Sequence, residues 1–302
     1  MSADHASPFV MVAGIAALDT IYPITTPLVA GEKHRCPRVE TVLGGNAANA
    51  ARAIARLGGR AELLARLGDD DTAALIRADL AAEGVGHALS PPLPGCQTSR
   101  SAILIEPGGA RTIANMFDPA FPDAPDWLPT TLLPGTSAVL GDIRWETATL
   151  RLLELARAAG LPGVLDGDRA PRDSRLITAA SHIAFSMQGL EELTGIADAP
   201  SALTAFARSQ TMGGDRFFAV TDGPNGVFAL IDGAIMHVPA PQVAAVDTLG
   251  AGDVWHGAFA LALAEHQPLH EALTFANHAA ALKCARPGGG AGAPWRHEMT
   301  TS

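Results

Sequence analysis

Short apolar runs alternate with longer Ala- and Leu-rich stretches along most of this 302-residue chain. The runs at residues 10–15 and 217–220 predict buried strands, whereas residues 46–57 and 269–284 have the spacing of helices. Strands that alternate with helices pair in parallel, so the pattern predicts a mostly parallel sheet covered by helices on both faces. With 48% hydrophobic residues the chain can bury such a core, and we expect one domain over residues 1–302.

Two segments, approximately residues 20–43 and 98–117, have the pattern of strands without intervening helices. Within the second, residues 99–106 and 111–116 flank a Pro-Gly-Gly turn, which is typical of a β-hairpin. We therefore expect a small β lid, inserted in the α/β domain and lying over its functional site.

Composition and charge argue against several classes of partner. The formal net charge of -10 repels phosphate backbones, so we expect no nucleic-acid partner. No uninterrupted apolar run approaches the length of a bilayer span, so we expect no membrane partner. Cys36, Cys96 and Cys284 are scattered and form no CxxC pair, which argues against a disulfide framework and predicts a reducing, cytoplasmic location.

The strongest motif is the glycine-rich turn at residues 247–258, Asp-Thr-Leu-Gly-Ala-Gly-Asp-Val-Trp-His-Gly-Ala. A predicted helix begins there, so the main-chain amides of Gly250, Ala251 and Gly252 can stabilise an anion, and we call them the anion hole. Asp253 lies at its rim, where a carboxylate can accept a proton from an attacking hydroxyl. The alternative is a plain turn in which Asp253 only caps the helix.

A second motif, Gly-Gly-Asn-Ala-Ala-Asn, opens the first predicted helix. Gly44 and Gly45 permit close approach of a ligand, and Asn46 and Asn49 lie about one turn apart, so both amides can face one sugar. The alternative is a capped helix with a small packing face.

Together the two motifs resemble the two signature regions of the PfkB/ribokinase family of sugar kinases, and they occur in the family's order. The resemblance covers nearly the whole chain. It implies a ribokinase-like three-layer αβα sandwich with a small β lid. It also implies an enzyme that transfers the γ-phosphate of ATP to a sugar hydroxyl, with Mg²⁺ arriving on the nucleotide. A requirement for a monovalent cation such as K⁺ stays open.

The resemblance assigns roles to particular residues of this sequence. Asp253 becomes the catalytic base beside the anion hole. The candidates for sugar contacts in the first half of the chain are Asp19, Gly44, Gly45, Asn46 and Asn49. The candidates for ATP contacts are Thr221, Gly223, Gly226, Asn277 and Gly288.

One departure from the family concerns magnesium. Many members carry Asn-x-x-Glu just before a Leu-Thr-Gly, whereas the matching positions here are Ser186 and Gly189. Asp166 and Asp168, which follow a predicted strand, are candidates to hold Mg²⁺ instead. A solvated turn is the equally open alternative for that pair.

A narrower resemblance, to sulfofructose kinases, is carried by residues 141–145, 166–168, 184–186 and 281–289. It implies transfer to the 1-hydroxyl of 6-deoxy-6-sulfofructose. Family members also pair their lid strands between subunits, which implies a homodimer through the lid.

In the sulfofructose kinases a Lys, an Asn and an Arg bind the sulfonate, and the matching residues here are Lys33, Asn115 and Arg144. The alternative is that these are ordinary surface residues, and Asn46 and Asn49 are more typical of general sugar kinases. A kinase for another ketose, a sugar phosphate or a nucleoside therefore stays open, as does a non-catalytic sugar-binding protein.

Overall fold

The computed structural model describes residues 7–210 and 216–300. In chain order the strands are β1 (Phe9–Gly14), β2 (Ala17–Pro23), β3 (Glu40–Gly44), β4 (Arg60–Ala65), β5 (Leu67–Gly68), β6 (Pro92–Leu93), β7 (Arg100–Ile105), β8 (Arg111–Met116), β9 (Thr136–Gly141), β10 (Gly163–Gly167), β11 (His182–Ser186), β12 (Phe217–Thr221), β13 (Val227–Ile231) and β14 (Ala234–Val238). The helices are α1 (Asn46–Arg56), α2 (Asp71–Ala82), α3 (Glu146–Ala158), α4 (Arg175–Ala179), α5 (Met187–Thr194), α6 (Ala199–Ser209), α7 (Ala251–Ala264) and α8 (Leu269–Cys284).

Eight strands form the central sheet in the order β14-β13-β12-β11-β10-β9-β1-β4. All neighbours from β4 to β12 pair in parallel, and β13 and β14 add an antiparallel edge. Along β1, Val10 and Val12 face one apolar core while Met11 and Ala13 face the other. The predicted mostly parallel sheet with helices on both faces is therefore confirmed.

Helix α7 lies in the core beside the sheet and packs against α1 and α8. It is buried from Val254 to Ala264, as expected for a helix that is apolar on all sides. Because its flanks are held by packing, its N-terminus has a defined position near the carboxyl ends of β10 and β11.

A separate four-stranded sheet with the order β3-β2-β7-β8 corresponds to the predicted lid segments. The predicted hairpin is present as β7–β8, which pair in antiparallel orientation with Ile103 opposite Ile113. The first predicted lid segment, residues 20–43, contains no helix, and its strands β2 and β3 flank residues 24–39, which contain no strand. Three prolines, Pro23, Pro27 and Pro37, interrupt that segment and cannot donate to a ladder. Within the described ranges, no helix has both the length and the apolar character needed to cross a membrane.

Candidate active site

The glycine-rich turn places Asp253 at the start of α7. Gly250 precedes the helix with φ of 77°, a left-handed conformation that glycine adopts without strain. The N–H groups of Gly252 and Asp253 lie in the first helical turn and have no acceptor among the described residues. The N–H of Ala251 donates to the Thr248 carbonyl at 3.2 Å. Of the three predicted anion-hole amides, that of Ala251 is therefore the one already engaged, whereas those of Gly252 and Asp253 are free to bind an anion.

The two motifs, far apart in the chain, meet at Asn49. Its Nδ2 donates to Oδ2 of Asp253 at 2.8 Å. Its Oδ1 is buried without a hydrogen-bond partner, and Gly290 packs so closely that a Cβ there would lie 2.0 Å from it. Asn49 therefore orients the carboxylate that sequence reasoning assigned as the base, instead of only facing a sugar.

Burial raises the pKa of Asp253, and the Asn49 hydrogen bond and the nearby His256 partly oppose that rise. His256 directs Nδ1 at the Gly252 carbonyl (2.8 Å) and Nε2 at the Ala184 carbonyl (3.0 Å), so both ring nitrogens face acceptors. Burial disfavours its charge, but Asp166 and these carbonyls outweigh that effect and raise the pKa of His256. The Asp166 carboxylate and these carbonyls thus favour the protonated form of His256, and a charge there would help to keep Asp253 ionised.

Asp19 is held beside the glycine motif by close packing. A Cβ on Gly44 would lie 1.9 Å from Oδ2 of Asp19, so only glycine leaves room for this carboxylate. Burial raises the pKa of Asp19, and a hydrogen bond from Ser101 lowers it in part. Ser101 also accepts from Nδ2 of Asn115 at 3.1 Å. The hydroxyl of Ser101 on β7 therefore connects Asp19 to Asn115.

Asp142 is a buried residue whose positioning role the sequence did not reveal. Its carboxylate accepts from the main-chain N–H groups of Ile15 (2.9 Å), Ala47 (3.1 Å) and Arg144 (2.7 Å). Burial raises the pKa of Asp142 to about 6, against the effect of these hydrogen bonds. Through these hydrogen bonds the Asp142 side chain holds together the end of β1, the start of α1 and the turn at Arg144. The signal that the sequence offered was its position within residues 141–145, one of the stretches that carry the narrower resemblance.

Two aspartates at the carboxyl end of β10, Asp166 and Asp168, point to opposite parts of the site. Oδ2 of Asp166 accepts from Nδ2 of Asn46 at 3.3 Å, and its Oδ1 lies 3.5 Å from Nε2 of His256. Burial raises the pKa of Asp166 to about 7. Asp168 pairs with the guanidinium of Arg144. These two carboxylates therefore link the base region to Arg144.

The residues present are compatible with Mg²⁺ that is held mainly by the nucleotide. Oδ1 of Asp166 and Oδ1 of Asp168 are buried without a hydrogen-bond partner, which suits a cation or a hydroxyl donor. The described residues contain no group of three or more His, Cys, Asp or Glu that could hold a metal. Magnesium in kinases commonly uses one or two carboxylates together with phosphates and water.

The departure at position 189 has a steric cause. A Cβ on Gly189 would lie 2.2 Å from the Gly167 carbonyl and 3.0 Å from the Arg169 nitrogen. Ser186 caps α5 through the Gly189 N–H and also donates to the Asp168 carbonyl at 2.9 Å. The turn that carries Asp168 therefore occupies the space that a glutamate side chain at 189 would need.

An apolar cavity of about 500 Å³ adjoins the anion hole. Its lining includes four of the five predicted ATP contacts and two glycine-loop residues: Thr221, Gly223, Gly226, Asn277, Ala251 and Gly252. Gly288 is not among the lining residues.

Two residues of the apolar cavity have roles that the sequence did not indicate. The Asn277 side chain accepts a hydrogen bond from Trp255 Nε1 and donates one to the Val238 carbonyl, both at 2.8 Å. Asn277 therefore helps to shape the wall of the apolar cavity. Arg111 reaches this cavity from the lid strand β8, and nothing in its sequence context predicted that.

A second, arginine-rich cavity of about 720 Å³ lies at the other end of the site. Its polar lining includes Asn115, Arg66, Arg144, Arg169 and Arg172. The structure thus brings together two of the three predicted sulfonate contacts.

Lys33 does not join them. It is exposed in the loop between β2 and β3, and within the described part of the chain no hydrogen bond or ion pair connects it to Asn115 or Arg144.

Free amides at a helix N-terminus, a carboxylate beside them and an adjoining apolar cavity are the features of a group-transfer site with an anionic donor. The model of the pfkB family carbohydrate kinases matches residues 7–296. The chain belongs to this family, and it is a phosphotransferase.

Relatives agree with this membership. The Bacillus subtilis ribokinase is 26% identical over 296 residues, which cover 96% of this chain and 97% of that protein. The Klebsiella pneumoniae fructokinase is 29% identical, with 78% of this chain and 80% of that protein covered. A structure of a candidate ribokinase from Agrobacterium tumefaciens matches with TM-score 0.88 and 36% identity, covering 97% of this chain and 96% of that one.

Proposed function

We propose that this enzyme transfers the γ-phosphate of ATP to a primary hydroxyl of a ketose-like sugar that carries a distal anionic group. The candidate substrate is 6-deoxy-6-sulfofructose, which would become its 1-phosphate. The observation that carries the proposal is the arrangement of the site. Asp253 and the free amides lie at one end, and Asn115 and Arg144 line a common cavity at the other.

The apolar cavity supports ATP as the donor, because it leads from predicted nucleotide contacts to the amide of Gly252. Among structures with the same fold, an Arabidopsis thaliana ribokinase was solved with ribose and ATP, and a Cryptococcus neoformans ribokinase with ADP. A cytoplasmic location belongs to the same proposal. Activity in the cytosolic fraction of fractionated cells would test it.

In the proposed step Asp253 removes the proton of the primary hydroxyl as the oxygen attacks the γ-phosphorus. The new O–P bond forms while the bond from that phosphorus to the β–γ bridging oxygen breaks, so ADP leaves and the proton stays on the carboxylate. Asn49 holds the carboxylate at 2.8 Å in the orientation for this transfer. The amides of Gly252 and Asp253 face the negative charge that is being transferred.

Magnesium, when bound with ATP, would neutralise phosphate charge, and Asp166 and Asp168 are the residues that would hold it in part. The lid contributes Ser101 and Asn115 to the sugar side of the site. Its closure over the substrate would exclude water and so suppress ATP hydrolysis.

Arginine density supports a distal anion. Four arginines line one cavity in a chain with only 21 Lys and Arg residues. A guanidinium has five N–H donors, so Arg144 can keep Asp168 and still bind a sulfonate. Arg66 supports the wall, because it donates to the Arg144 carbonyl at 3.1 Å and lies 4.9 Å from the Trp145 ring centroid.

A neutral pentose or hexose is the second candidate. Each of the four cavity arginines already has a carboxylate partner within 4 Å. The pairs are Arg66 with Asp123, Arg144 with Asp168, Arg169 with Glu192, and Arg172 with Glu146. Relatives of this chain are named ribokinase, fructokinase and deoxyribokinase. Those names favour sugars that carry no anionic group.

A substrate panel with ATP and Mg²⁺ separates the candidates by kcat/KM for 6-deoxy-6-sulfofructose, fructose 6-phosphate, fructose and ribose. We expect the sulfonate to be preferred, and Arg144→Gln to raise its KM at least about tenfold, the effect of losing one charge-assisted contact. The neutral sugars should be unaffected by that change. Arg151→Gln, an exposed site on α3, is the matched control. Higher kcat/KM for the neutral sugars would refute the distal-anion proposal.

A homodimer through the lid is part of the proposal. The edge strand β8 is largely exposed, with Ile113 51% accessible, and the other lid segment exposes Leu28, Val29 and Val39. A second copy of the chain would cover these side chains. Light scattering should give a dimer that Ile113→Lys dissociates, whereas Leu75→Lys on α2, also exposed, should not. A monomeric wild-type protein would rule out this interface.

A further inference from the structure

Lys283 is a completely buried cation beneath the catalytic turn. It lies near the end of α8, and its Nζ donates to the Asp247 carbonyl at 2.6 Å. The same ammonium lies 3.3 Å from Oδ2 of Asp247. A buried ammonium persists when partners compensate its lost hydration, and here one residue supplies both a carbonyl and a carboxylate.

Asp247 transmits this contact to the active site. Its Oδ1 accepts from the Leu249 N–H and its Oδ2 from the Gly289 N–H, both at 2.8 Å. Its own N–H bonds the Cys284 carbonyl at 3.1 Å. Leu249 immediately precedes Gly250, whose left-handed conformation starts α7. The ammonium therefore fixes the loop from which the anion hole and the base extend.

Lys283 and Asp247 stabilise each other's charged form. Burial disfavours ionised Asp247, but the two N–H groups and Lys283 outweigh it and hold the pKa of Asp247 below its usual range. Burial lowers the pKa of Lys283, and Asp247 opposes that change. Without a cation, the partly buried carboxylate of Asp247 would have only two neutral main-chain donors.

We infer that the Lys283 ammonium serves as a built-in monovalent cation for the catalytic turn, so this kinase needs no bound K⁺ there. The inference rests on the proposed kinase function. A K⁺ ion at this turn would need the carbonyl and carboxylate oxygens of Asp247, and Nζ already occupies them. An ammonium and K⁺ are similar in size and charge, so one can replace the other at such oxygens.

The wild-type enzyme provides the first test, which involves no substitution. Its kcat/KM should change by less than about twofold when K⁺, Na⁺ or choline chloride is exchanged at constant ionic strength. The assay uses whichever sugar of the panel is turned over, so the cation result does not depend on the sulfonate. If no sugar is turned over, the kinase proposal fails. The inference about the cation is then tested by calorimetry, because the affinity for ATP and Mg²⁺ should be the same in the three salts.

Two substitutions provide the second test. Lys283→Ala leaves a space lined by the Asp247 oxygens, and in choline chloride it should lower kcat/KM by about 10²-fold, the scale of a misplaced catalytic group. K⁺ or NH₄⁺ should restore at least about tenfold. Lys283→Met fills the space without charge, so it should be impaired and not restored. Melting temperatures show whether each variant is folded.

Three results would overturn the inference. They are K⁺ activation of the wild-type enzyme, unchanged kinetics of a folded Lys283→Ala variant, and equal salt responses of the Ala and Met variants. The last would show that Lys283 only fills space.

Discussion

Replacing Asp253 with Asn removes the proton acceptor while leaving the shape of the site nearly unchanged. Asn is isosteric, and its carbonyl oxygen can accept the Asn49 amide that Oδ2 accepts at 2.8 Å in the wild type. Because burial raises the pKa of Asp253, the ionised form is disfavoured in the fold. Neutral Asn therefore should not lower the free energy of unfolding.

The loss should appear in turnover. A positioned general base contributes about 10²–10⁴-fold, which corresponds to roughly 3–5 kcal/mol of transition-state free energy. We expect kcat to fall by that factor, with the KM for sugar and for ATP changed by less than about threefold.

A coupled ADP-release assay measures kcat, and calorimetry with the sugar measures binding. Asp71→Asn is the matched control, because Asp71 also lies in the first turn of a helix but is exposed. The reasoning is refuted if folded Asp253→Asn retains turnover within tenfold of the wild type.

The remaining predictions concern pH and the glycine of α5. The base must be ionised, so kcat/KM should fall as the pH decreases through the raised pKa of Asp253. The midpoint of this fall should lie above the ordinary carboxyl pKa of about 4. A pH profile with its acid midpoint at or below about 4 would contradict this prediction. Gly189→Glu, which restores one position of the family motif, should destabilise the protein by at least about 1–3 kcal/mol in urea denaturation, because its Cβ would overlap the Gly167 carbonyl. Gln188→Glu, at the neighbouring exposed position, is the control and should leave the free energy of unfolding nearly unchanged. Equal stabilities of Gly189→Glu and Gln188→Glu would show that the turn can move.

Local patterns predicted the elements that have strong periodicity or a defined turn. Helix α8 spans the residues that the apolar spacing indicated, and the β7–β8 hairpin follows its Pro-Gly-Gly turn. Strand β11 and helices α4 to α6 were not predicted. They are short, and β11 carries His182 and Ser186 at its ends, so its apolar centre is only three residues long. Its partners β10 and β12 make it a central strand.

The sequence by itself determined the family resemblance, the glycine turn before Asp253 and the residue types at the start of α1. These depend on neighbours in the chain, namely glycine conformations and helix starts. Only the tertiary structure decided that Asn49 holds Asp253, that Asp142 fastens three segments, and that Lys283 lies beneath the turn while Lys33 stays exposed. Such contacts depend on how α1, α7 and α8 pack against the sheet, and that packing is set by side chains distant in sequence.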